Sequence, residues 1–233
     1  MPTLSIETPD GALVVTLEPP SRVTLGALVG LFLPVDDQAT ALAARGSSIT
    51  CRAGCAHCCR QLVPLSAPEA FHLAAVVDAR ADAKEIGARF SALHDALERS
   101  WIGYALRHRL AEDDRRATEL AVGWHRLGYA CPLLVDERCS SYDARPIVCR
   151  EYLVTTPVEG CARPGTAPLR RVPIALRLSD ALAAVASARL GPAFGATVPL
   201  PSALAFAAAH VDEGARTFAT DALIADVIAA LRT

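Results

Sequence analysis

Four of the chain's eight cysteines fall within nine residues, Cys51, Cys55, Cys58 and Cys59 in the pattern CxxxCxxCC, and the other four follow as Cys131, Cys139, Cys149 and Cys161. A thiolate is a soft ligand that selects zinc, copper(I) or iron–sulfur clusters, and several on one short loop close around a centre at little loop-closure cost. The spacing therefore predicts metal binding by all eight. Two blander uses of cysteine fit less well. Disulfides concentrate in small secreted domains and are rare in reducing compartments. Thiols packed as small hydrophobes would be scattered, whereas the first 50 residues and the last 72 hold none.

Chemistry alone leaves the metal open. Cys55-Ala56-His57-Cys58 is a CxxC pair of the kind zinc knuckles use, and eight thiolates suffice for two closed four-thiolate sites. CxxxCxxC is also the spacing with which radical S-adenosylmethionine enzymes hold three corners of a 4Fe-4S cluster. The alternating strands and helices of their usual barrel are missing from this sequence, but the cluster reading does not depend on them. The expected cofactor is an iron–sulfur cluster of the 4Fe-4S type, or Zn2+. Adjacent Cys58 and Cys59 would point in opposite directions if extended, turning one toward a second metal or a partner.

Burying several thiolates is costly unless donors compensate them. Arg145 and Arg150 flank Cys149 and are expected to hydrogen-bond to sulfur, tuning potential or affinity. The competing reading pairs Arg145 with Asp143 or Glu151. Tyr142 is read as a packing residue beside the centre and His57 as an exposed one. Arg52 and Arg60 bracket the first loop as solvated cations. His72, His94, His108, His125 and His210 have no partner at ligand spacing.

The elements that must position these sulfurs are mainly helical. Strands at 4–7 and 12–17 flank an Asp10-Gly11 turn signal. Helices are expected from the Thr24 cap through residue 31 and over 38–44. Ser66 and Glu69 form a capping box at the head of an amphipathic helix that reaches Leu97 and bends at Gly87. A second helix over 104–127 comes back along the first and returns Cys131 toward Cys59. Residues 131–161 carry Pro132, Pro146, Pro157 and Gly160 with little helical periodicity, as a metal-ordered region would. Helices over 179–190, 202–216 and 220–231 follow, with apolar faces for the body or a protein partner. The fold class is mainly α, a helical bundle around a cysteine-rich metal-binding loop region with a small N-terminal β-hairpin. Residues 1–165 would form the metal-binding domain and 166–233 a helical segment packed on the same body.

The segment CPLLVDERCSSYDARPIVCREY over 131–152, taken with CxxxCxxCC upstream, resembles the cysteine-cluster, YkgJ-type family of zinc- or iron-chelating proteins. The positions that carry the resemblance are Cys131, Pro132, Leu133, Leu134, Cys139, Tyr142, Arg145, Pro146, Cys149 and Arg150, with Ser141 departing from the apolar residue common before the tyrosine. It spans 49–161 and implies metal chelation. One branch looks like flagellin lysine N-methylases with an iron–sulfur cluster, which makes a cluster-dependent, S-adenosylmethionine-using methylase the alternative. A third reading is an interaction module stabilised by zinc.

Composition excludes other classes. The hydrophobic share of 52% is rich in alanine, and the longest apolar stretch, 25–35, contains Pro34 and falls short of the ~20 residues that span a bilayer. No membrane segment is expected. Glu7 and Asp10 stand where a signal peptide would be basic, so the expected compartment is the cytoplasm. The net charge is -2, and the arginines of 107–116 are balanced by Glu112, Asp113 and Asp114, which argues against a nucleic-acid partner. Neither GxGxxG nor a phosphate loop occurs.

Overall fold

The computed structural model describes residues 3–52, 54–108, 114–166 and 168–231. An antiparallel hairpin comes first, β1 (Thr3–Thr8) and β2 (Gly11–Thr16), closed by the pair Thr8 and Gly11. Gly11 has φ 133°, a conformation that side chains rarely tolerate, and this is why the turn needs glycine there. After β3 (Arg22–Thr24), Thr24 caps α1 (Leu25–Ala43) by accepting the Ala27 N–H at 3.1 Å.

Two helices were expected where α1 runs unbroken through Pro34. A proline inside a helix costs roughly 3 kcal/mol. Val35, Ala39 and Leu42 are buried beyond it, as Leu28 and Phe32 are before it. At ~1.5–3 kcal/mol per large apolar side chain buried, that continuous face outweighs the proline. The resulting 19-residue helix is long and apolar enough, by length and composition alone, to cross a membrane, a test that core helices also pass. In this fold it is a core helix with half of its length buried, and Asp36 within it is fully buried.

The short strand β4 (Pro64–Leu65) leads to α2 (Ala67–Asp78), which opens with the expected capping box. α1 and α2 cross closely at Gly26, where an added Cβ would lie 3.1 Å from Phe71 Cβ and 3.2 Å from the His72 nitrogen. α3 (Ala83–Arg99) is separate, so the single bent helix is corrected to two, broken at 79–82 and not at Gly87. The cause is Arg80. It donates to both Asp82 carboxylate oxygens at 2.7 and 2.8 Å and reaches the Ser140 carbonyl at 2.7 Å. Similarly, the helix expected over 104–127 is α4 (Trp101–Arg107) and α5 (Asp114–Arg126), with 109–113 outside the described residues.

The cysteine-rich return carries only short elements: β5 (Leu134–Val135), β6 (Arg138–Cys139), α6 (Ile147–Arg150) and α7 (Glu159–Ala162). Then come α8 (Leu178–Leu190), β7 (Val198–Pro199), α9 (Ala203–Ala209), α10 (Val211–Ala215), β8 (Thr217–Ala219) and α11 (Thr220–Ala230). The helix expected over 202–216 breaks at His210, whose ring packs 4.6 Å from Phe206 and 5.0 Å from Phe194. β4 pairs with β7 and β3 with β8, tying the two ends of the chain together.

The largest apolar core joins Leu13, α1, α8 and α11. A second gathers α2, α3 and α9 with Leu133, and a third lies around Trp124 between α3, α4 and α5. The class is mainly α with small antiparallel sheets, as expected.

Candidate metal centre

The cysteines share one neighbourhood because five separate devices hold their segments. Residues 57–60 form one 3₁₀ turn, and the Cys131 N–H donates to the Cys59 carbonyl at 2.7 Å, joining the two cysteine stretches directly. β5 and β6 form a hairpin that sets Cys139 opposite Leu134. Its turn residues Asp136 and Glu137 have φ 49° and 55°, the left-handed values that tight hairpins need although neither residue is glycine. Arg60 fastens this turn to the first loop through Glu137 at 3.1 Å.

α6, which carries Cys149, is held at both ends. At its start the Ile147 N–H donates to Glu69 Oε1 at 2.9 Å. The other Glu69 oxygen accepts from the Ser66 N–H, the Ser66 hydroxyl and the Ser179 hydroxyl, at 2.9, 2.7 and 2.6 Å. Ser179, in the first turn of α8, thus serves this carboxylate, and Arg177 is the N-cap of α8. At the far end Arg150, 6% exposed, donates to the Arg145 and Asp143 carbonyls and to the Asp37 carboxylate. On the opposite side Thr50 anchors Cys51. Its hydroxyl donates to the Val154 and Thr156 carbonyls at 3.1 and 2.7 Å. α7 packs Cys161 against the 3₁₀ turn.

All eight cysteines are free thiols; Cys161 is buried and the others are half-buried. Cys51 lies within reach of the charges of Cys55 and Cys58, and Cys161 within reach of the same three. Cys59 faces Cys58, Cys131 and Cys139, and Cys149 faces Cys131, Cys58 and Cys139. Burial lifts Cys131 to about 12 and Cys161 to about 11, and raises Cys51, Cys139 and Cys149 in the same direction. Cys58 is lowered, first by the Cys59 thiol that donates to it and then by its own backbone N–H and the Arg145 guanidinium, while Cys59 is raised. The expectation that these adjacent sulfurs diverge is thereby corrected, since the turn is helical and not extended. Among the described residues no three His, Cys, Asp or Glu side chains stand as a finished metal-holding group. The thiols share a neighbourhood without a closed coordination shell.

The side chains around the sulfurs differ in role. Arg145 stacks 4.0 Å from the Tyr142 ring centroid, its charge lowers Cys58 and Cys139, and its Nε is buried without a partner. Tyr142 is 59% exposed, and its contact is this cation rather than the core. Arg150 is engaged by Asp37 and two carbonyls, and braces α6. Sequence reasoning missed Arg80, whose charge reaches Cys139, and Arg89, whose charge reaches Cys131. Neither belongs to a cysteine motif; each arrives through the break between α2 and α3.

Behind α6, Asp36 and Glu151 face each other. Burial raises both carboxyls, and three of their four oxygens have no other partner, so a proton shared between the two carboxyls gives one oxygen of each a partner. Beside Cys161 a cleft of ≈ 220 Å³ opens between α5 and α7, lined by Val122, His125, Arg126, Ala162 and Arg163. Burial and the charges of His57 and Arg60 lower His125, and its Nε2 has no partner. Comparison with family models, with curated proteins and with solved structures finds no match.

Proposed function

We propose that this chain is a cytoplasmic metal-binding protein that holds an iron–sulfur cluster or zinc on its clustered cysteine thiolates. The observation that carries the reading is the meeting of thiols from 51–59 and 131–161, all of them free, around the 3₁₀ turn. Soft sulfur donors in this number suit Zn2+ or iron–sulfur chemistry, and unbridged thiols suit a reducing compartment. Cys51, Cys55, Cys58, Cys59, Cys131, Cys139, Cys149 and Cys161 would hold the group, with Arg145 offsetting thiolate charge. Bound zinc would contribute folding energy, and a bound cluster would supply electron transfer. The resemblance to the cysteine-cluster family points the same way.

A second reading, a cluster-dependent and S-adenosylmethionine-using methylase, draws support from the cleft beside Cys161. Anaerobic purification followed by zinc, iron and acid-labile sulfide analysis tests the main reading. Brown protein with sulfide supports the cluster, and colourless protein with stoichiometric zinc supports zinc. Metal-free protein, or full metal retention in both Cys55→Ser and Cys149→Ser, would overturn it. A spectral change on adding S-adenosylmethionine to cluster-bearing protein would favour the second.

A further inference from the structure

The cleft between α5 and α7 has features that the thiol chemistry leaves unused. Its surface is mainly carbon, with Val122 supplied by α5 and Ala162 and Pro164 by the end of α7 and the turn after it. That turn is tight. The Thr166 N–H and hydroxyl both donate to the Arg163 carbonyl, at 3.1 and 2.8 Å. Gly165, at φ 80°, comes so near α5 that an added Cβ would lie 3.2 Å from Val122 Cγ2. The volume of ≈ 220 Å³ is below the ~300–1,000 Å³ of drug-sized pockets, so the cleft suits a small molecule.

Its charge is of one sign. Arg126, Arg163 and His125 line it and no acidic residue does; Glu159, at the start of α7, lies outside its walls. Among the described residues neither arginine is in an ion pair. Glu119, earlier on α5, is taken by Arg115 and Arg116. His125 Nε2 is buried without a partner, and the charges of His57 and Arg60 reach the same ring. The macrodipole of α5 accounts for a cation in its last turn, but not for the unpartnered Nε2 or for Arg163. Two unpaired guanidiniums and an imidazole with a free nitrogen, set in carbon walls, describe a place for negative charge carried on an apolar body.

We propose that the cleft between α5 and α7 binds a small organic anion, a carboxylate or phosphate monoester on an apolar body, through Arg126, Arg163 and His125. This does not depend on what the thiols hold. The test titrates the full chain by calorimetry with benzoate, phenyl phosphate and benzamide, the last an uncharged match for benzoate in shape. One site is expected for the anions, with benzamide at least ~10-fold weaker than benzoate, the worth of one charge-assisted hydrogen bond. The tighter of the two anions tells whether carboxylate or phosphate is the preferred head group. Arg126→Gln and Arg163→Gln, both at exposed positions, should each weaken anion binding by ~10-fold or more and leave the melting temperature where it was. Equal affinity for benzoate and benzamide, unchanged affinity in both variants, or no binding of either anion overturns the site. Each of these results leaves the metal-binding reading standing, since metal content is measured separately on the same protein.

Discussion

The two ends of the cysteine region carry the same thiol group but are held by different means. Cys131, Cys139 and Cys149 sit on elements fixed by buried polar contacts and lie beside Arg80, Arg89 and Arg145. Cys51 sits next to Thr50, and Cys161 on the four-residue helix α7. The same side chain is therefore braced firmly in one region and lightly in the other.

The comparison breaks most visibly at Glu69. Glu69→Ala leaves the Ile147 N–H, the Ser66 N–H and the Ser66 and Ser179 hydroxyls without their acceptor. At about 1–3 kcal/mol per stranded buried donor, the expected loss is at least about 3 kcal/mol, a fall in Tm of roughly 10 °C for a chain of this length. Any metal held through Cys149 should go with it, and an unchanged melting curve would show that α6 is held by other means.

Arg145→Leu sharpens the contrast without breaking the fold. It removes the cation that faces Cys139 and Cys58, and metal affinity should fall ~10–100-fold, as when outer partners of a metal ligand are lost. Arg145→Lys should recover only part of this, since a point charge replaces a planar fork. Competition with a chelator of known affinity measures both.

The Asp36–Glu151 pair behind α6 makes stability depend on pH in a stated direction. Burial raises both carboxyls, so the folded chain binds more protons than the unfolded one. Their stabilising share is complete below about pH 4, the unfolded carboxyl value, and is lost as pH rises through neutrality. Asp36→Asn supplies a permanent donor to Glu151 and should flatten that slope in urea titrations at several pH values. An equal slope in both proteins would remove the pair from the account of α6.

The smallest effect belongs to Thr50. Thr50→Val loses the hydroxyl that serves the Val154 and Thr156 carbonyls, worth about 1 kcal/mol. Tm should fall by roughly 2–4 °C, and an unchanged melting curve would show that the hydroxyl does not hold Cys51 in place.

Cysteine spacing, the Ser66–Glu69 box and the hairpin around Gly11 were legible in the sequence because each is set by residues a few positions apart. The return of Cys131 to Cys59 was legible as well, from helical stretches that go out and come back, although four helices and not two make the excursion. What escaped depends on contacts far along the chain. Pro34 persists inside α1 because distant segments bury both sides of it, and Arg80 breaks the α2–α3 run because Ser140 and Asp82 are there to receive it. The second role of Glu69 was hidden for the same reason: its box partner is three residues away, but Ile147 and Ser179 are not. The helical turn that brings the Cys58 and Cys59 sulfurs together has no signature in a CC dipeptide.

X-ray absorption at the zinc and iron edges of anaerobically purified protein tests the claim that sulfur holds a metal here most directly. A first shell of sulfur alone, at about 2.3 Å for zinc or an equivalent thiolate and sulfide shell for iron, is expected. A first shell of nitrogen or oxygen, or an edge too weak for stoichiometric metal, would contradict it.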